Sequence, residues 1–224
     1  MRPTTLLGLE KPLTLVSIRS SAKQNLHKAH LVTYYSLTVV CPTSRVWWSL
    51  KRRYSDLLFV RNQLLRTHKN ALRLRGSHAV GRVLTLLDPI VNAKFPPKRL
   101  GLDTKTIVQE RVVGLKEFVA QLAALRSACL EPYEAKSQFE AAQVSEIYRL
   151  LGHALAVPTR AGPRPTSQEE TGGCAICLEE GHSKALVFEL PCAHRFHQDC
   201  ILEWFDTQHT CPMCRTEAFY GFVV

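Results

Sequence analysis

Eight cysteine and histidine side chains near the C-terminal end constrain the fold of this chain more than any other feature. Two Cys-x-x-Cys pairs, Cys174 with Cys177 and Cys211 with Cys214, flank a central Cys-x-His-x-x-His-x-x-Cys group at residues 192–200. Thiolates and imidazoles at this spacing are typical ligands of zinc, which takes four of them tetrahedrally. Eight ligands within 41 residues therefore predict two zinc ions. Metal binding would also supply much of the folding free energy of so short a segment.

Disulfide bonds are the alternative use of these cysteines. Residues 1–11 lack the basic segment and long apolar run of a secretory signal, which favours the cytosol, where thiols stay reduced. Two histidines at ligand spacing also favour metal binding over disulfides. The sequence contains no stretch that approaches the ~18 consecutive apolar residues of a membrane-spanning helix.

The ligand order, three cysteines, two histidines and three cysteines, resembles a RING finger between residues 174 and 215. The resemblance implies an interleaved cross-brace with four ligands for each zinc ion. The first ion would be held by Cys174, Cys177, His197 and Cys200. The second would be held by Cys192, His194, Cys211 and Cys214. PHD fingers and LIM domains also bind two zinc ions, but their ligand order differs.

Four residues near the ligands carry the functional part of this resemblance, which implies recruitment of a ubiquitin-conjugating enzyme charged with ubiquitin. The positions of Ile176, Trp204 and Pro212 contact that enzyme in RING ligases. The position of Arg215 bridges the enzyme and ubiquitin. Such a ligase needs no nucleophile, because its rate comes from holding the charged enzyme in a reactive orientation. The alternative is that Ile176 and Trp204 only fill a small core and that the finger is a structural zinc module.

Charge divides unevenly along the chain and predicts two domains. Residues 1–157 carry 24 Lys and Arg against 10 Asp and Glu, whereas residues 158–224 carry 5 against 9. A stretch rich in proline and glycine separates the two parts and predicts a flexible linker at 153–172. We therefore expect one domain at 10–152 and a second at 173–216. A basic domain can face an anionic membrane, nucleic acid or neither.

The N-terminal domain is predicted to combine a small sheet with helices. Runs rich in Val, Leu, Thr and aromatic residues predict three antiparallel strands at 13–19, 31–41 and 45–51. Amphipathic patterns predict helices that begin near Ser55 and at Asp103, and a last helix over 134–151. The stretch between residues 75 and 98 is less regular. Strands followed by helices are typical of an α+β fold.

Three short motifs in this domain resemble those of a phox-homology (PX) domain, a phosphoinositide-binding module. They are the sequence RRYSD at 52–56, placed at a strand-to-helix junction, then FPPK at 95–98, and ER at 110–111. The resemblance covers residues 10–152 and departs from the family at Leu57, where phenylalanine is usual. The alternative for the basic run is an ordinary solvated face.

The resemblance assigns four residues to a lipid site. Arg53 would bind the 3-phosphate of phosphatidylinositol 3-phosphate, and Tyr54 would pack under the inositol ring. Lys98 would meet the 1-phosphate, and Arg111 would bind the ring hydroxyls. Guanidinium groups suit this role because their planar fork matches phosphate oxygens. The apolar run at 83–87 either dips into the bilayer interface or packs on the domain.

Together these features predict a cytoplasmic ubiquitin ligase that lies peripherally on endosomal membrane. Its PX domain would bind phosphoinositide, and its finger would bring the charged conjugating enzyme to a protein substrate that the sequence does not identify. The alternative function is a zinc-binding endosomal adaptor or scaffold without transfer activity. A nucleic-acid partner is not expected, because the basic half lacks a recognisable reader motif.

Overall fold

The computed structural model describes residues 21–27, 30–41, 44–76, 79–99, 101, 103–158, 173–179 and 186–224. These residues form helices and an antiparallel sheet, so the predicted α+β class is confirmed. The strands are β1 (Ser21–His27), β2 (His30–Cys41), β3 (Val46–Arg53), β4 (Val187–Glu189), β5 (Arg195–His197) and β6 (Tyr220–Val223). The helices are α1 (Tyr54–Leu74), α2 (Gly81–Val91), α3 (Lys105–Ala128), α4 (Gln138–Ala154) and α5 (Gln198–Phe205). None of these helices has the length and hydropathy needed to cross a bilayer.

Strands β1, β2 and β3 form an antiparallel meander. β3 pairs along its whole length with residues 34–41 of β2, and the pairing ends with Cys41 opposite Val46. Arg45 adopts a left-handed conformation with φ of 53° in the turn between them. Tyr35 and Leu37 alternate along β2 with more exposed neighbours and are fully buried, as expected for a sheet with one face on the core. The strand predicted at 13–19 lies outside the described residues.

Helix α1 begins where β3 ends. The carboxylate of Asp56 accepts a hydrogen bond from the backbone N–H of Arg53 at 2.9 Å, which caps the first turn. Leu57, Val60 and Leu64 follow at helical spacing and are buried. This junction fixes the positions of Arg53 and Tyr54 at the end of β3, where α1 begins.

Helix α2 lies within the stretch that the sequence predicts to be irregular. It has no side-chain N-cap and contains Pro89, so its sequence lacks the usual start signal and includes a helix breaker. Val83, Leu87 and Ile90 nevertheless lie on one side of it and are buried. The apolar run at 83–87 therefore packs on the domain and does not project as a membrane-inserting loop.

Helices α3 and α4 complete the N-terminal domain. The hydroxyl of Thr104 accepts a hydrogen bond from the amide of Ile107 at the start of α3. The hydroxyl of Ser137 caps α4 in the same way, by accepting a hydrogen bond from the amide of Glu140. Two side chains of β3 then hold the end of α4. Trp48 Nε1 donates to the carbonyl of Leu155 at 2.8 Å, and Arg52 Nη2 donates to the carbonyl of His153 at 2.9 Å.

The sheet does not end with the N-terminal domain. β4 and β5 form a hairpin that is followed by α5, and β6 pairs with β4 on one side and β3 on the other. The strand order is β1-β2-β3-β6-β4-β5. The sequence predicts a three-stranded sheet in the first domain and a separate finger. The described strands instead form one sheet, in which β1, β2 and β3 come from the first domain and β4, β5 and β6 from the C-terminal part of the chain. Of the linker predicted at 153–172, residues 159–172 lie outside the described part of the chain.

Replacing Leu87 by alanine tests the placement of α2. Because this side chain is fully buried, the substitution is expected to lower the free energy of unfolding by about 2–5 kcal/mol. Urea or thermal unfolding measures the effect, with Thr85→Ala, at an exposed position on the same helix, as the control. A Leu87→Ala variant of native stability that binds vesicles less well would instead place the run 83–87 in the membrane interface.

Candidate functional site

The two Cys-x-x-Cys segments fold into equivalent turns. The amide of Leu178 donates to the carbonyl of Cys174 at 2.7 Å, and the amide of Arg215 donates to the carbonyl of Cys211 at 2.9 Å. Leu178 and Arg215 each adopt the left-handed conformation with φ of 62°. This conformation turns the chain sharply after the second cysteine, so that both thiols of each turn lie close together.

His197 and Cys200 join the first of these turns. His197 is the last residue of β5, and Cys200 lies in the first turn of α5. The sulfur of Cys177 lies 3.3 Å from Nδ1 of His197. The first group of ligand atoms, all within 4.8 Å of one another, comes from Cys174, Cys177, His197 and Cys200.

His194 joins the second turn to Cys192. Its Nδ1 lies 3.3 Å from the sulfur of Cys192 and 3.5 Å from that of Cys211. With Cys214, these residues form a second group whose ligand atoms lie within 4.8 Å of one another. The two groups have the membership that the cross-brace implies. Four soft or borderline donors fill a tetrahedral shell, so each group fits one zinc ion with no open coordination position.

One thiol in each of the two groups, that of Cys200 and that of Cys192, ionises readily only beside a cation. Burial raises the pKa of Cys192 to about 12. Burial, together with the neighbouring Cys174 and Cys177, also raises the pKa of Cys200 to about 12. By contrast, hydrogen bonds from the hydroxyl and amide of Thr216 lower the pKa of Cys214 to about 6. A bound zinc ion would offset the repulsion between the thiolates and keep them deprotonated.

The four residues predicted to face the conjugating enzyme retain accessible surface. Ile176 and Trp204 are partly buried and pack against the core of the finger. Trp204 Nε1 also donates to the carbonyl of Thr210 at 2.7 Å, which fixes the indole ring. Pro212 is partly buried and Arg215 is exposed. Ile176 and Trp204 therefore each pack against the core with one part of the side chain and expose the other part to solvent.

Two further apolar side chains are exposed in the zinc-binding turns and were missed at the sequence level. Leu178 is 82% exposed, and Met213 is 57% exposed. They belong to the same two turns as Ile176 and Pro212, so they enlarge the apolar surface offered there. No sequence signal separates Met213 from Ile176, which occupies the equivalent position in the first turn and packs against the finger core.

The predicted lipid residues come together where β3, α1 and α3 meet. The hydroxyl of Tyr54 donates to the carbonyl of Pro96 at 2.8 Å, which joins the segment of Lys98 to the start of α1. The guanidinium of Arg111 lies over the ring of Tyr54, 4.0 Å from its centroid. Arg53 and Lys98 are exposed, whereas Tyr54 and Arg111 are buried. The structure thus brings Tyr54 and Arg111 into direct contact and leaves Arg53 and Lys98 accessible to a ligand.

Asp103 is a member of this cluster that sequence reasoning missed. Its carboxylate accepts a hydrogen bond from Arg111 Nη1 at 2.6 Å, and the Arg111 side chain is only 7% exposed. The guanidinium therefore lies between a carboxylate and an aromatic ring, which both stabilise its charge. From sequence, Asp103 marks only the start of a helix. No local pattern pairs it with a side chain eight positions later.

Comparison with known families supports both predicted domains. Residues 172–215 match the family model described as Ring finger domain. Residues 42–139 match the family model described as PX domain. No solved structure matches the chain.

Curated relatives share parts of the chain. The E3 ubiquitin-protein ligase RING1-like of Arabidopsis thaliana is 39% identical over 62 residues, which are 28% of this chain and 19% of the relative. The E3 ubiquitin-protein ligase MPSR1 of the same plant is 52% identical over 46 residues, 20% of this chain and 22% of the relative. The probable E3 ubiquitin-protein ligase ZFP1 of Oryza sativa subsp. japonica is 27% identical over 154 residues, 67% of this chain and 26% of the relative.

The chain spans about a quarter or less of the length of these relatives. The two family matches lie in separate parts of the chain and agree with the positions of its two groups of candidate residues. On these matches, the chain contains a PX domain followed by a RING-type zinc finger.

Proposed function

We propose that this protein is a RING-type ubiquitin ligase that works at a phosphoinositide-containing membrane. The observation that carries the proposal is the pair of closed Cys/His groups, whose turns hold Pro212 and Arg215 with accessible surface. The relatives support it, since they are named E3 ubiquitin-protein ligases. The partner would be a ubiquitin-conjugating enzyme charged with ubiquitin, and the substrate a protein near the same membrane.

Ubiquitin would pass directly from the conjugating enzyme to its acceptor. Six of the eight cysteines belong to the Cys/His groups, and the other two, Cys41 and Cys129, are buried. Burial raises the pKa of Cys129 to about 11, which disfavours its nucleophilic thiolate. None of the eight thiols is therefore suited to carry ubiquitin. A substrate lysine amine would attack the thioester carbonyl, form the amide bond and release the thiol of the conjugating enzyme.

The finger would orient the conjugating enzyme and its ubiquitin and would supply no reacting group. Ile176, Trp204 and Pro212 would offer apolar surface to the conjugating enzyme. Arg215 would donate from its planar guanidinium to the enzyme and to ubiquitin at the same time. Holding the thioester in one reactive orientation removes part of the entropic barrier to transfer. The zinc ions would stabilise this surface, because four protein ligands leave no position for water or substrate.

The PX domain would attach the ligase to the cytoplasmic side of endosomal membrane. The exposed side chains of Arg53 and Lys98 would meet the 3-phosphate and 1-phosphate of phosphatidylinositol 3-phosphate. Tyr54 would support the inositol ring, and Arg111 would bind its hydroxyls. Attachment raises the effective concentration of the ligase near membrane-bound substrates without any new contact between them.

Arg111 would exchange partners when the headgroup binds. It now donates to Asp103, and its guanidinium covers the ring of Tyr54. A headgroup that reaches the tyrosine face would displace the guanidinium from the ring and compete with the carboxylate for its N–H groups. Breaking the ion pair between Arg111 and Asp103 costs free energy and therefore opposes lipid binding. The new contacts with the headgroup must contribute more free energy than the broken ion pair loses.

Replacing Asp103 by asparagine tests this exchange. The amide oxygen can still accept a hydrogen bond from Arg111 but carries no charge, so the guanidinium is released more easily. We expect the affinity for vesicles that contain phosphatidylinositol 3-phosphate to rise about tenfold. Co-sedimentation with the vesicles measures this change. Unchanged affinity in a folded variant would mean that Arg111 serves only to pack on Tyr54.

Replacing Arg53 by alanine is expected to weaken binding to the same vesicles by roughly tenfold or more, because a charge-assisted hydrogen bond to phosphate is lost. Fold stability should change little, since the partner of Arg53 is the nearby Asp56 in an exposed ion pair. Arg66→Ala, at an exposed position further along α1, removes the same charge and is the matched control. Equal weakening by both substitutions at ~0.15 M salt would indicate unspecific charge attraction instead of a headgroup site.

Single-turnover discharge of a panel of ubiquitin-loaded conjugating enzymes tests the ligase function. The native protein is expected to accelerate discharge, and Ile176→Ala and Arg215→Ala are each expected to reduce that acceleration about tenfold or more. Val113→Ala, which also truncates an exposed apolar side chain, is the control. Each variant must retain two zinc ions.

The absence of any acceleration by the native protein would contradict the proposed ligase function. If the native protein with two bound zinc ions accelerates no member of the panel, the finger is not a ligase surface. The adaptor function would then be favoured, with Ile176 and Trp204 serving only to pack the finger core.

A further inference from the structure

Strand β6 binds the PX domain and the finger at the same time. On one side, the amide of Ser49 donates to the carbonyl of Phe219 at 2.8 Å, and the amide of Val223 donates to the carbonyl of Arg45 at 2.7 Å. On the other side, β6 pairs with β4. A short strand between two others satisfies its backbone groups only while both neighbours are in place. β6 is therefore part of the finger and of the PX sheet alike.

Trp47 of the PX domain belongs to the core of the finger. Its side chain is fully buried and stacks on Phe188, with ring centroids 4.9 Å apart and an interplanar angle of 7°. Phe205 packs against the same ring at 5.5 Å. Val40 of β2 joins the same buried cluster. A buried tryptophan that stacks on aromatic partners removes a large apolar area from water, so this contact favours association of the two domains.

Gly221 permits this close approach. It lies opposite Trp47 in the pairing of β3 with β6. A Cβ atom at this position would overlap the backbone carbonyl oxygen of Glu189 and would lie 2.8 Å from two ring carbons of Trp47. The backbone on one side and a fully buried ring on the other leave no room to adjust. Glycine is thus required for β6 to fit between the two domains.

The contact lies at the opposite end of β3 from the predicted lipid site. Trp47 and Arg53 are six residues apart on one extended strand, roughly 20 Å. Among the described residues, Ile176 and Trp204 pack against the buried cluster that contains Trp47, whereas Pro212 and Arg215 are not part of it. The contact therefore holds the finger away from the basic end of β3 and leaves these two residues of the conjugating-enzyme surface outside it.

We infer that β6 fixes the finger on the edge of the PX sheet, and that this fixed placement determines which lysines on a membrane protein the ligase can reach. The inference rests on the proposed function. A finger on a free linker would sweep a wide volume, whereas a finger held by β6 presents the thioester at one height above the bilayer. Lysines at that height are modified faster than lysines nearer or further away. Trp47 and Gly221 are positioning residues, since neither touches the reacting atoms.

The substitution Gly221→Ala separates the finger from the PX sheet and tests the inference. Gly152→Ala is the matched control, because a Cβ atom at that position in α4 meets no neighbouring atom. Truncation after residue 219, which removes β6, is a second variant. All variants must bind two zinc ions per chain, which shows that the finger has folded.

The first readout is the distance between two dyes placed on unnatural amino acids at the exposed positions 116 in α3 and 203 in α5. Single-molecule energy transfer should give one narrow population for the native chain and for Gly152→Ala. Gly221→Ala and the truncated chain should give a broad distribution. A broad distribution in the native chain, or a narrow one after truncation, would overturn the inference. This readout uses neither lipid nor conjugating enzyme, so it is independent of the proposed function.

The second readout is ubiquitin transfer on vesicles that contain phosphatidylinositol 3-phosphate and acceptor peptides, each with one lysine on a rigid spacer of varied length. The native chain should prefer one spacer length by about tenfold, and Gly221→Ala should lose that preference. Discharge to free lysine in solution is measured for both glycine variants as the reference, because Ile176 and Trp204 pack against the same cluster as Trp47, and a general loss of discharge is divided out of the spacer comparison. A spacer preference that survives in Gly221→Ala would overturn the inference. A native chain that does not bind vesicles or accelerate discharge would overturn the proposed function, and with it the membrane part of the inference.

Discussion

Two interleaved Cys/His groups determine how the C-terminal part of this protein folds. One group joins residues 174–177 to 197–200, and the other joins residues 192–194 to 211–214. The two groups interleave in the sequence, because residues 192–194 lie between the two halves of the first group and residues 197–200 lie between the two halves of the second. The apolar core between them is small and is centred on residues such as Phe188, Phe196 and Ile201. A core of this size stabilises little by itself, so zinc supplies the constraint that holds β4, β5 and α5 together.

That constraint extends beyond the finger. Once β4 is in place, its free edge pairs with β6, and β6 presents its other edge to β3. Trp47 then packs beside the phenylalanines of the finger, and its neighbour Trp48 packs in the core of the PX domain. Two adjacent side chains on one strand thus point into two different cores, as the alternation of a strand requires. The zinc groups that shape the proposed conjugating-enzyme surface therefore also fix where the PX sheet receives the finger.

Features with local causes could be predicted from the sequence. The turns at the cysteine pairs, the apolar stripe of α1 and the pairing of β2 with β3 depend on residues close together in the chain, and family resemblance supplied the grouping of the eight ligands. Features with distant causes could not. β6 is a four-residue strand that exists because two other strands accept it, and α2 is held by tertiary burial although it contains Pro89. The contact of Asp103 with Arg111 depends on side-chain geometry that no periodic pattern reports.

Hydrogen exchange on β3 tests most directly the claim that the zinc groups hold both domains in one sheet. The amide of Ser49 donates to Phe219 on the finger side. The amide of Leu50 faces the opposite way, toward β2, because backbone groups alternate along an antiparallel strand. Removal of zinc by a chelator is predicted to speed exchange at Ser49 while Leu50 stays protected. Unchanged protection of Ser49 in protein shown to be free of zinc would contradict the account.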